Sequence, residues 1–547
     1  MPGTFTAILM TIRTQAQAVA QGLALVLLCL ALYLPGLTAL PVVDRDEARF
    51  AQASRQMVES GDPIAIHFQN ESRLKKPIGI YWLQAASASA LGGVTAPIWA
   101  YRVPSLIGAT IAVLLTAWIG IRLFGTTAGM TAAAILAGTV LLGYEARQAK
   151  TDAVLLATIV AVQGALAARW QDHREGRKTS LGVILTFWVG LAASILVKGP
   201  IVLLVSGATI AALAAVERQV RWLAGLRPRL GLPLLLVLVL PWFIAIMIQT
   251  GGAFFHESVG HDLVDKMVSS QETHGAWPGY YVAAFLLTFW PYTLLAIPAA
   301  PWAWRHRREP AVLFCLAWLV PAWLIFELVP TKLPHYVLPL YPALALLTGA
   351  AAAAMPAPGR RLSTLALVVW AIPGIALLAA LLGLVPVVSG RLQPGAIGLA
   401  VGAAALLWLA PRQTRLSNKM MALALAGGLI TGGAFQFVLP SLDPAWVSDA
   451  VKARIDAVRP CPTGPIAAAG YTEPSLVFDV GTGIQLTDGS GAAAIVGADA
   501  CAVAVVDITQ DAAFHTALST AVRTLGQVRG FNYSRGKPVD LTLYARQ

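Results

Sequence analysis

Apolar runs of about 17–25 residues recur along the chain as far as residue 440, and they restrict its fold more than any other feature. A run of that length crosses the hydrocarbon core of a bilayer, which is roughly 30 Å thick, as one helix. Of the 547 residues, 57% are hydrophobic and only 12% are charged, which excludes a soluble globular protein. The chain is therefore predicted to be a polytopic α-helical membrane protein.

The net charge of +12 comes from clusters of Arg and Lys in short gaps between the apolar runs. This distribution is the positive-inside pattern of membrane proteins, and it argues against a nucleic-acid partner. The predicted cytoplasmic clusters are Arg169–Lys178, Arg218–Arg229, Arg305–Arg308, Arg360–Arg361 and Arg412–Lys419. About thirteen spans follow, predicted at 18–40, 97–120, 126–143, 153–168, 180–197, 201–216, 230–249, 281–303, 311–328, 337–355, 363–386, 395–410 and 420–438. The C-terminus is then extracytoplasmic, as in a multi-pass protein of a bacterial inner membrane.

Two segments outside the membrane interrupt the predicted transmembrane domain, residues 1–439. The first loop, 41–96, contains an amphipathic helical pattern in "DEARFAQASRQMVESGD", closed by Ser60–Gly61. A second helix is predicted in "KKPIGIYWLQAASASALGG", where Tyr81 and Trp82 suit a membrane interface. The other loop, 251–280, is rich in His, Asp and Glu.

Residues 440–547 have no long apolar run and are predicted to form a small periplasmic α/β domain. Strand-like segments lie at 465–470, 475–481, 492–497 and 501–508, separated by turn residues. A helix is predicted at 511–526, and a terminal hairpin turns at Arg-Gly-Lys. Cys461 and Cys501 both fall in this domain, where a periplasmic location allows a disulfide but the spacing does not prove one. Cys29 and Cys315 fall inside apolar spans.

Charged and polar side chains accumulate on the predicted outer face, where several directly adjoin apolar runs. They are Asp44, Asp46, Glu47, Arg49, Lys75, Lys76, Glu145, Arg147, Lys150, Asp152, Lys198, His256, Glu257, His261, Asp262, Asp265, Lys266, Glu272, His274, Lys332, His335 and Tyr336. Charge at the end of a span is costly and marks functional sites. Carboxylates together with several lysines at one face indicate a site for an anionic group with an acid or base beside it.

Each of these side chains also has a purely structural interpretation. Asp44 and Glu47 fit an Asp-x-x-Glu capping box that starts the loop helix, so Asp44 is expected to tolerate replacement. Asp152 could cap the fourth span, and Lys198 and Lys332 could be interfacial lysines. A lipid phosphate would instead need such cations, and a hydroxyl acceptor would need a carboxylate general base.

Six motifs in order resemble bacterial membrane glycosyltransferases of the protein-O-mannosyltransferase superfamily, nearest to their lipid A aminoarabinose transferase branch. They are "DRDEARFAQASRQM", "RLKKPIGIYWL", "RQAKTDAVLLA", "LVKGPIVLL", "HESVGHD…ETHGAWPGYYV" and "TKLPHYVLPLYPALALL". The resemblance implies a GT-C fold, a polyprenyl-phosphate-linked sugar donor and inversion at the anomeric carbon.

The same resemblance assigns roles to individual residues. It implies that Asp46 is the catalytic carboxylate, paired with Glu47, and that Asp152 is a second acidic position. The donor phosphate is predicted to be bound by cations and polar groups, namely Arg49, Lys76, Lys198, Lys332, Tyr336 and His274. The acceptor would be lipid A or another envelope glycan, reached among membrane lipids.

One departure concerns Lys75, which stands where the aminoarabinose branch often has a glutamate that binds metal. A zinc site built with His274 is therefore doubtful, and no cofactor is assigned, although a divalent cation stays open. The change also leaves a hexose or galacturonic acid donor, or a protein acceptor, as alternatives. A transporter or flippase of a lipid-linked anion is the alternative of another class, but such proteins place charge near the bilayer midplane, often within inverted repeats.

Overall fold

The computed structural model describes residues 2–258, 276–355 and 360–547, and most of them are helical. The helices of the membrane region are α1 (Pro2–Tyr33), α2 (Asp46–Ser60), α3 (Gly79–Ala90), α4 (Ile98–Phe124), α5 (Thr126–Ala137), α6 (Val140–Glu145), α7 (Asp152–Arg174), α8 (Leu181–Lys198), α9 (Ile201–Glu217), α10 (Pro228–Thr250), α11 (Ala253–Phe255), α12 (Tyr280–Thr288), α13 (Thr293–Arg305), α14 (Pro310–Leu328), α15 (Tyr341–Ala354), α16 (Arg360–Ser389), α17 (Pro394–Leu409) and α18 (Leu416–Gly433).

Within the described residues, ten helical segments are long and apolar enough to cross a membrane. The other three predicted spans lie on helices that are shorter or interrupted. The span predicted at 126–143 is divided between α5 and α6, the span at 201–216 is α9, and the span at 281–303 is divided between α12 and α13. The long helices confirm a multi-span membrane protein.

The first span ends earlier than predicted, because α1 stops at Tyr33 rather than continuing to residue 40. Pro35 has no N–H to continue the helix, and Gly36 has a φ of 82° that favours glycine. A Cβ on Gly36 would also lie within 2.7 Å of the Phe435 backbone. This close contact directs the chain out of α1 and into the first loop.

The first loop contains the two predicted helices, α2 and α3, and a short hairpin of β1 (His67–Phe68) and β2 (Glu71–Ser72). Gly61 ends α2 in the left-handed conformation, as the Ser60–Gly61 signal predicted. The predicted capping box of Asp44 and Glu47 is wrong. Glu47 Oε2 accepts from Val43 N at 2.9 Å rather than from Asp44 N, and the Asp44 side chain does not cap the helix, which starts at Asp46 after Arg45.

Helices α4 and α7 pack closely and position the start of α7 at one end of the bundle. A Cβ on Gly108 would lie 2.9 Å from the carbonyl oxygen of Ala153, so only glycine allows this approach. Arg122 pairs with Asp172 at 2.5 Å at the opposite end of the same two helices. The predicted cytoplasmic cluster around Arg169–Lys178 is thus separated from Asp152 by the length of α7.

The C-terminal domain is a five-stranded sheet with the order β4-β3-β5-β7-β6. Its elements are α19 (Val447–Val458), β3 (Ile466–Ala469), α20 (Pro474–Val480), β4 (Gln485–Thr487), α21 (Gly489–Ala498), β5 (Val503–Asp507), α22 (Asp511–Ala517), β6 (Val522–Asn532) and β7 (Lys537–Arg546). Strands β3, β4 and β5 pair in parallel, and β6 and β7 form the predicted terminal hairpin. Cys461 and Cys501 form a disulfide, while Cys29 and Cys315 are free and buried.

Two predicted strands are wrong, since 475–481 and 492–497 lie in helices α20 and α21. Both apolar runs are short, so periodicity alone cannot separate a strand from a buried helix. Local signals settle the outcome: Pro474 occupies the first turn of α20, and the Asp488 side chain accepts from Gly491 N at 2.8 Å to cap α21. The predicted helix at 511–526 ends at Ala517, and residues 522–526 belong to β6.

Candidate active site

A cavity of about 1120 Å³ opens at the end of the bundle where α2 and the C-terminal domain lie. Its walls come from separate parts of the chain: the start of α2, the segment after β2, the segment between α6 and α7, the end of α8, and residues 331–336. These are the segments that carry the predicted charges, so the structure brings most of them together.

Asp46 and Glu47 are neighbours in sequence but occupy different surroundings. Asp46 is exposed and lines the cavity in the first turn of α2. Burial by the surrounding walls would raise the pKa of Asp46, but Lys150, His335 and Arg73 outweigh it and hold the pKa below its ordinary value. Asp46 therefore presents an ionised carboxylate to the cavity.

Glu47 is buried, belongs to the cavity lining and is bound on both oxygens; its predicted catalytic role stays a prediction. Its carboxylate forms a bidentate pair with Arg102, with both N···O distances 2.8 Å, and it accepts from the backbone N of Ala149 at 2.8 Å. Arg102 also donates to the carbonyl oxygens of Leu37 and Leu40. Both side chains are fully buried, so the pair joins α2, α4 and the segment before α7.

The deep wall of the cavity, which we call the cavity floor, consists of Glu145, Gln148, Lys150, Asp152 and Lys198. Lys198 Nζ lies 2.6 Å from Asp152 Oδ1, and Lys150 Nζ lies 3.1 Å from Glu145 Oε1. Burial raises the pKa of Glu145 to about 7 against the opposing charge of Lys150. Asp152 is the first residue of α7 but does not cap it, because Thr151 occupies the N-cap position and no side chain caps the helix; Asp152 instead pairs with Lys198.

His335 extends this network, with ring nitrogens 3.8 Å from Glu145 and 3.9 Å from Asp152. Tyr336 follows it in the cavity wall, and its ring centroid lies 5.9 Å from Lys198 Nζ.

The residues predicted to bind the donor phosphate do not all lie in the wall of the cavity. Arg49, Lys76, Lys198 and Tyr336 line the cavity. Lys332 is not among the lining residues; it is buried and donates to the carbonyl oxygen of Val329 at 2.6 Å, and its predicted contact with the donor phosphate stays a prediction. His274 lies outside the described residues.

Asp44 binds the C-terminal domain, contrary to the expectation that it only caps a helix. Its carboxylate accepts from the backbone N and the Oγ of Ser475, both at 2.8 Å, and its own backbone N donates to Tyr533 Oη at 2.7 Å. Arg45 lies 3.7 Å from the buried Glu473. We call these five residues, Asp44, Arg45, Glu473, Ser475 and Tyr533, the domain seam.

Further contacts extend the seam along α2. Gln52 donates to Thr482 Oγ1 at 2.7 Å, and Arg55 donates to the carbonyl oxygen of Phe478 at 2.5 Å. Thr472, Pro474, Tyr533 and Ser534 also line the cavity. The C-terminal domain thus covers one side of the cavity. The sequence alone does not indicate this role.

Sequence reasoning noted Glu145, Lys150 and His335 on the outer face but did not place them in the site, and it missed Arg73, Arg102 and Gln148. An arginine inside an apolar run, such as Arg102, was a usable signal because charge there is expensive. Nothing in the sequence distinguished Gln148 from an ordinary loop residue.

Among residues 2–258, 276–355 and 360–547, no group of three or more His, Cys, Asp or Glu side chains is arranged to hold a metal ion. Lys75, at the position where a metal-binding glutamate was considered, is exposed in the cavity wall and has no ligand chemistry for a cation. No step of the chemistry below depends on a metal.

Residues 75–244 match the sequence family described as dolichyl-phosphate-mannose-protein mannosyltransferase. The undecaprenyl phosphate-alpha-4-amino-4-deoxy-L-arabinose arabinosyl transferase of Aeromonas hydrophila is 28% identical over 330 residues, which cover 60% of this chain and 59% of that protein. The protein of the same name from Pseudomonas aeruginosa is 28% identical over 314 residues, covering 56% and 54%. The chain thus aligns with somewhat more than half the length of these relatives.

The fold agrees with a solved structure over nearly its whole length. ArnT from Cupriavidus metallidurans bound to undecaprenyl phosphate superimposes with a TM-score of 0.76 at 18% identity, covering 96% of this chain and 97% of that chain. The same protein in the apo state gives 0.73. The chain therefore has the ArnT-like GT-C fold, and the resemblance to the aminoarabinose transferases that its motifs predicted is confirmed.

Proposed function

We propose that this protein is an inverting membrane glycosyltransferase that moves a sugar from a polyprenyl-phosphate donor to lipid A or another envelope glycan. The observation that carries the proposal is that an ionised Asp46 lines the same cavity as Lys76, Arg49 and Lys198. The ArnT-like fold supports it, because the solved ArnT was crystallised with undecaprenyl phosphate. The reaction would take place on the periplasmic face of a bacterial inner membrane.

Lys76 and Arg49 are suited to hold the donor phosphate, and Lys198 and Tyr336 line the same cavity. In the reaction, the bond between the anomeric carbon and the phosphate oxygen breaks, and the electron pair leaves with the phosphate. The cations stabilise the negative charge that develops there. Exposed apolar residues on the outside of the bundle, such as Leu287 at the cavity wall, offer a surface for the prenyl chain.

Asp46 would act on the acceptor from the opposite side of the sugar. For a hydroxyl acceptor it would take the proton as the new C–O bond forms, which requires the ionised carboxylate. For a phosphate acceptor no proton needs to be removed, and Asp46 would orient the nucleophile. Asp152, held by Lys198 at 2.6 Å, would keep the neighbouring lysine in place rather than meet the acceptor.

Transfer in membranes supplied with native donor lipid tests the proposal. We expect Asp46→Asn and Lys76→Ala each to reduce transfer by about 100-fold or more, the range for a lost general base or oxyanion-type contact. Glu175→Gln and Lys178→Ala, at the opposite end of the bundle, are matched controls and should keep wild-type transfer. Near-wild-type transfer in both cavity variants would refute the assignment.

Lipid analysis of cells that lack the protein would name the substrates. A missing modification on lipid A identifies the acceptor, and an accumulated polyprenyl-phosphate sugar identifies the donor. A hexose or galacturonic acid donor, or a protein acceptor, would leave the chemistry unchanged. If wild-type protein moves the lipid-linked anion across vesicles but transfers no sugar, the protein is a flippase instead.

A further inference from the structure

The first turn of α2 is attached to two different domains, and Asp46 lies between the attachments. Asp44 and Arg45, which precede it, belong to the domain seam. Glu47, which follows it, is fully buried and pairs with Arg102 of α4. The chain at Asp46 is therefore tied to the C-terminal domain on one side and to the transmembrane helices on the other.

The attachment to the C-terminal domain engages backbone groups as well as side chains. The Asp44 carboxylate accepts from the N and the Oγ of Ser475, both at 2.8 Å, and Asp44 N donates to Tyr533 Oη at 2.7 Å. Arg45 donates to the carbonyl oxygen of Ser534 at 3.1 Å. Because these contacts hold two consecutive residues, they fix the path of the chain into α2.

The partners of Asp44 and Arg45 are themselves held inside the C-terminal domain. Glu473 is 1% exposed, and its Oε1 accepts from Asn532 and from Arg535, both at 2.8 Å. Ser475 is 2% exposed and shares a hydrogen bond with Ser448. A movement of this domain would therefore reach the start of α2 directly, without being absorbed by loose side chains.

The position of the Asp46 carboxylate decides which charges act on it. Lys150, His335 and Arg73 attract the ionised form and Asp152 repels it, and all four belong to other segments of the chain. A carboxylate that acts on an acceptor in the cavity is also sensitive to geometry, since a misplacement of about 1 Å can cost about 100-fold in rate. What holds the first turn of α2 therefore bears on the reaction.

We infer that the C-terminal domain positions Asp46 for the transfer step, and that Asp44 and Ser475 are the positioning residues. This inference rests on the proposed function, since it takes Asp46 as the carboxylate that acts on the acceptor. It gives the C-terminal domain a part in the reaction besides covering the cavity. It also opposes the expectation from the sequence that Asp44 tolerates replacement.

Steady-state transfer separates this role from donor binding. Purified full-length protein is reconstituted in proteoliposomes with a total lipid extract of its source cells, and transfer is followed by mass spectrometry. We expect Asp44→Ala to lower the maximal rate about tenfold. The amount of extract that gives half the maximal rate should stay within about twofold, because Lys76 and Lys198 belong to segments that the seam does not include.

The double variant Asp44→Ala with Asp46→Asn shows whether Asp44 acts through Asp46. Without the Asp46 carboxylate there is nothing left to position, so the double variant should transfer within about twofold of Asp46→Asn alone. Ser475→Ala removes only the hydroxyl contact and should lower the maximal rate in the same direction by less. It decides the question if Asp44→Ala fails to fold.

Thr482→Val is the matched control, because it also removes contacts between α2 and the C-terminal domain. Thr482 Oγ1 lies 2.7 Å from Gln52 Nε2 and 2.8 Å from Glu59 Oε2, farther along α2 than the first turn. This variant should keep the wild-type maximal rate.

Wild-type rates in both Asp44→Ala and Ser475→Ala would overturn the inference and leave the proposed function intact. The same holds if the losses of Asp44→Ala and Asp46→Asn multiply in the double variant, or if Thr482→Val loses as much rate as Asp44→Ala. Wild-type protein that transfers no sugar would overturn the proposed function and, with it, the positioning role.

Discussion

The domain seam and the cavity floor both concentrate charge at the same end of the molecule, yet their side chains are used differently. In the seam, Asp44 binds Ser475 through both carboxylate oxygens, and Arg45 meets Glu473. On the floor, Lys150 pairs with Glu145 and Lys198 pairs with Asp152, while the exposed Asp46 lines the same cavity. Charge alone therefore does not mark a site; the partners and the exposure of each side chain do.

The sharpest test of this comparison is the variant Asp46→Asn, which changes a carboxylate only two residues from Asp44. Asp46→Asn should reduce transfer by about 100-fold or more and leave the thermal unfolding of the protein unchanged, because it removes a reactive carboxylate that faces the cavity. Transfer assays and unfolding curves on one preparation measure both. If Asp46→Asn also lowered the thermal stability of the protein, Asp46 would be a structural residue.

The buried pair of Glu47 and Arg102 should show the opposite behaviour, since the two side chains are bound to each other and join α2 to α4. Arg102→Met leaves the Glu47 carboxylate buried and uncompensated, which costs about 3–5 kcal/mol of unfolding free energy. The double variant Glu47→Leu with Arg102→Met should lose less than the sum of the single variants. Thermal unfolding in detergent measures this, and additive losses would argue against a direct pair.

Asp44 should matter for docking of the C-terminal domain. Asp44→Ala leaves Ser475 N without its acceptor and should cost about 1–3 kcal/mol of docking free energy. Hydrogen exchange across 472–482 is expected to rise while exchange in β5 stays low, because the domain keeps its own core. Ser475→Ala removes only the hydroxyl contact and is the matched, weaker variant. Unchanged exchange in both would show that the seam contributes little to docking.

The pH dependence of docking should be the smallest effect. Burial raises the pKa of Asp44 from 3.8 to about 6, and burial together with Asp449 and Asp44 raises the pKa of Asp479 to about 8. Docked protein therefore binds these protons more tightly than undocked protein, so docking weakens as pH rises from about 4 to about 8. Hydrogen exchange at 472–482 across this range measures it. In Asp44→Asn the lower part of the change should disappear and the part due to Asp479 should remain; strengthening with pH would contradict both assignments.

The amino-acid sequence by itself determined the membrane class, the separate C-terminal domain and the face on which the charges gather. The physical reason is that apolar run length and the distribution of Arg and Lys act locally and do not depend on packing. The order of the six motifs also predicted the fold, and the Ser60–Gly61 signal located the end of α2. The strand prediction failed for short apolar runs such as 475–481, because whether they form a helix or a strand depends on the surrounding sheet.

Only the tertiary structure decided what each charged residue does. Asp44, Asp46 and Glu47 are nearly adjacent in the chain, but they bind the C-terminal domain, face the cavity and pair with Arg102, respectively. These partners lie tens to hundreds of residues away in sequence, so no local pattern could assign them. Glu145 Oε2 and Gln148 Oε1, which have no hydrogen-bond partner within the described residues, are likewise defined by what packs around them.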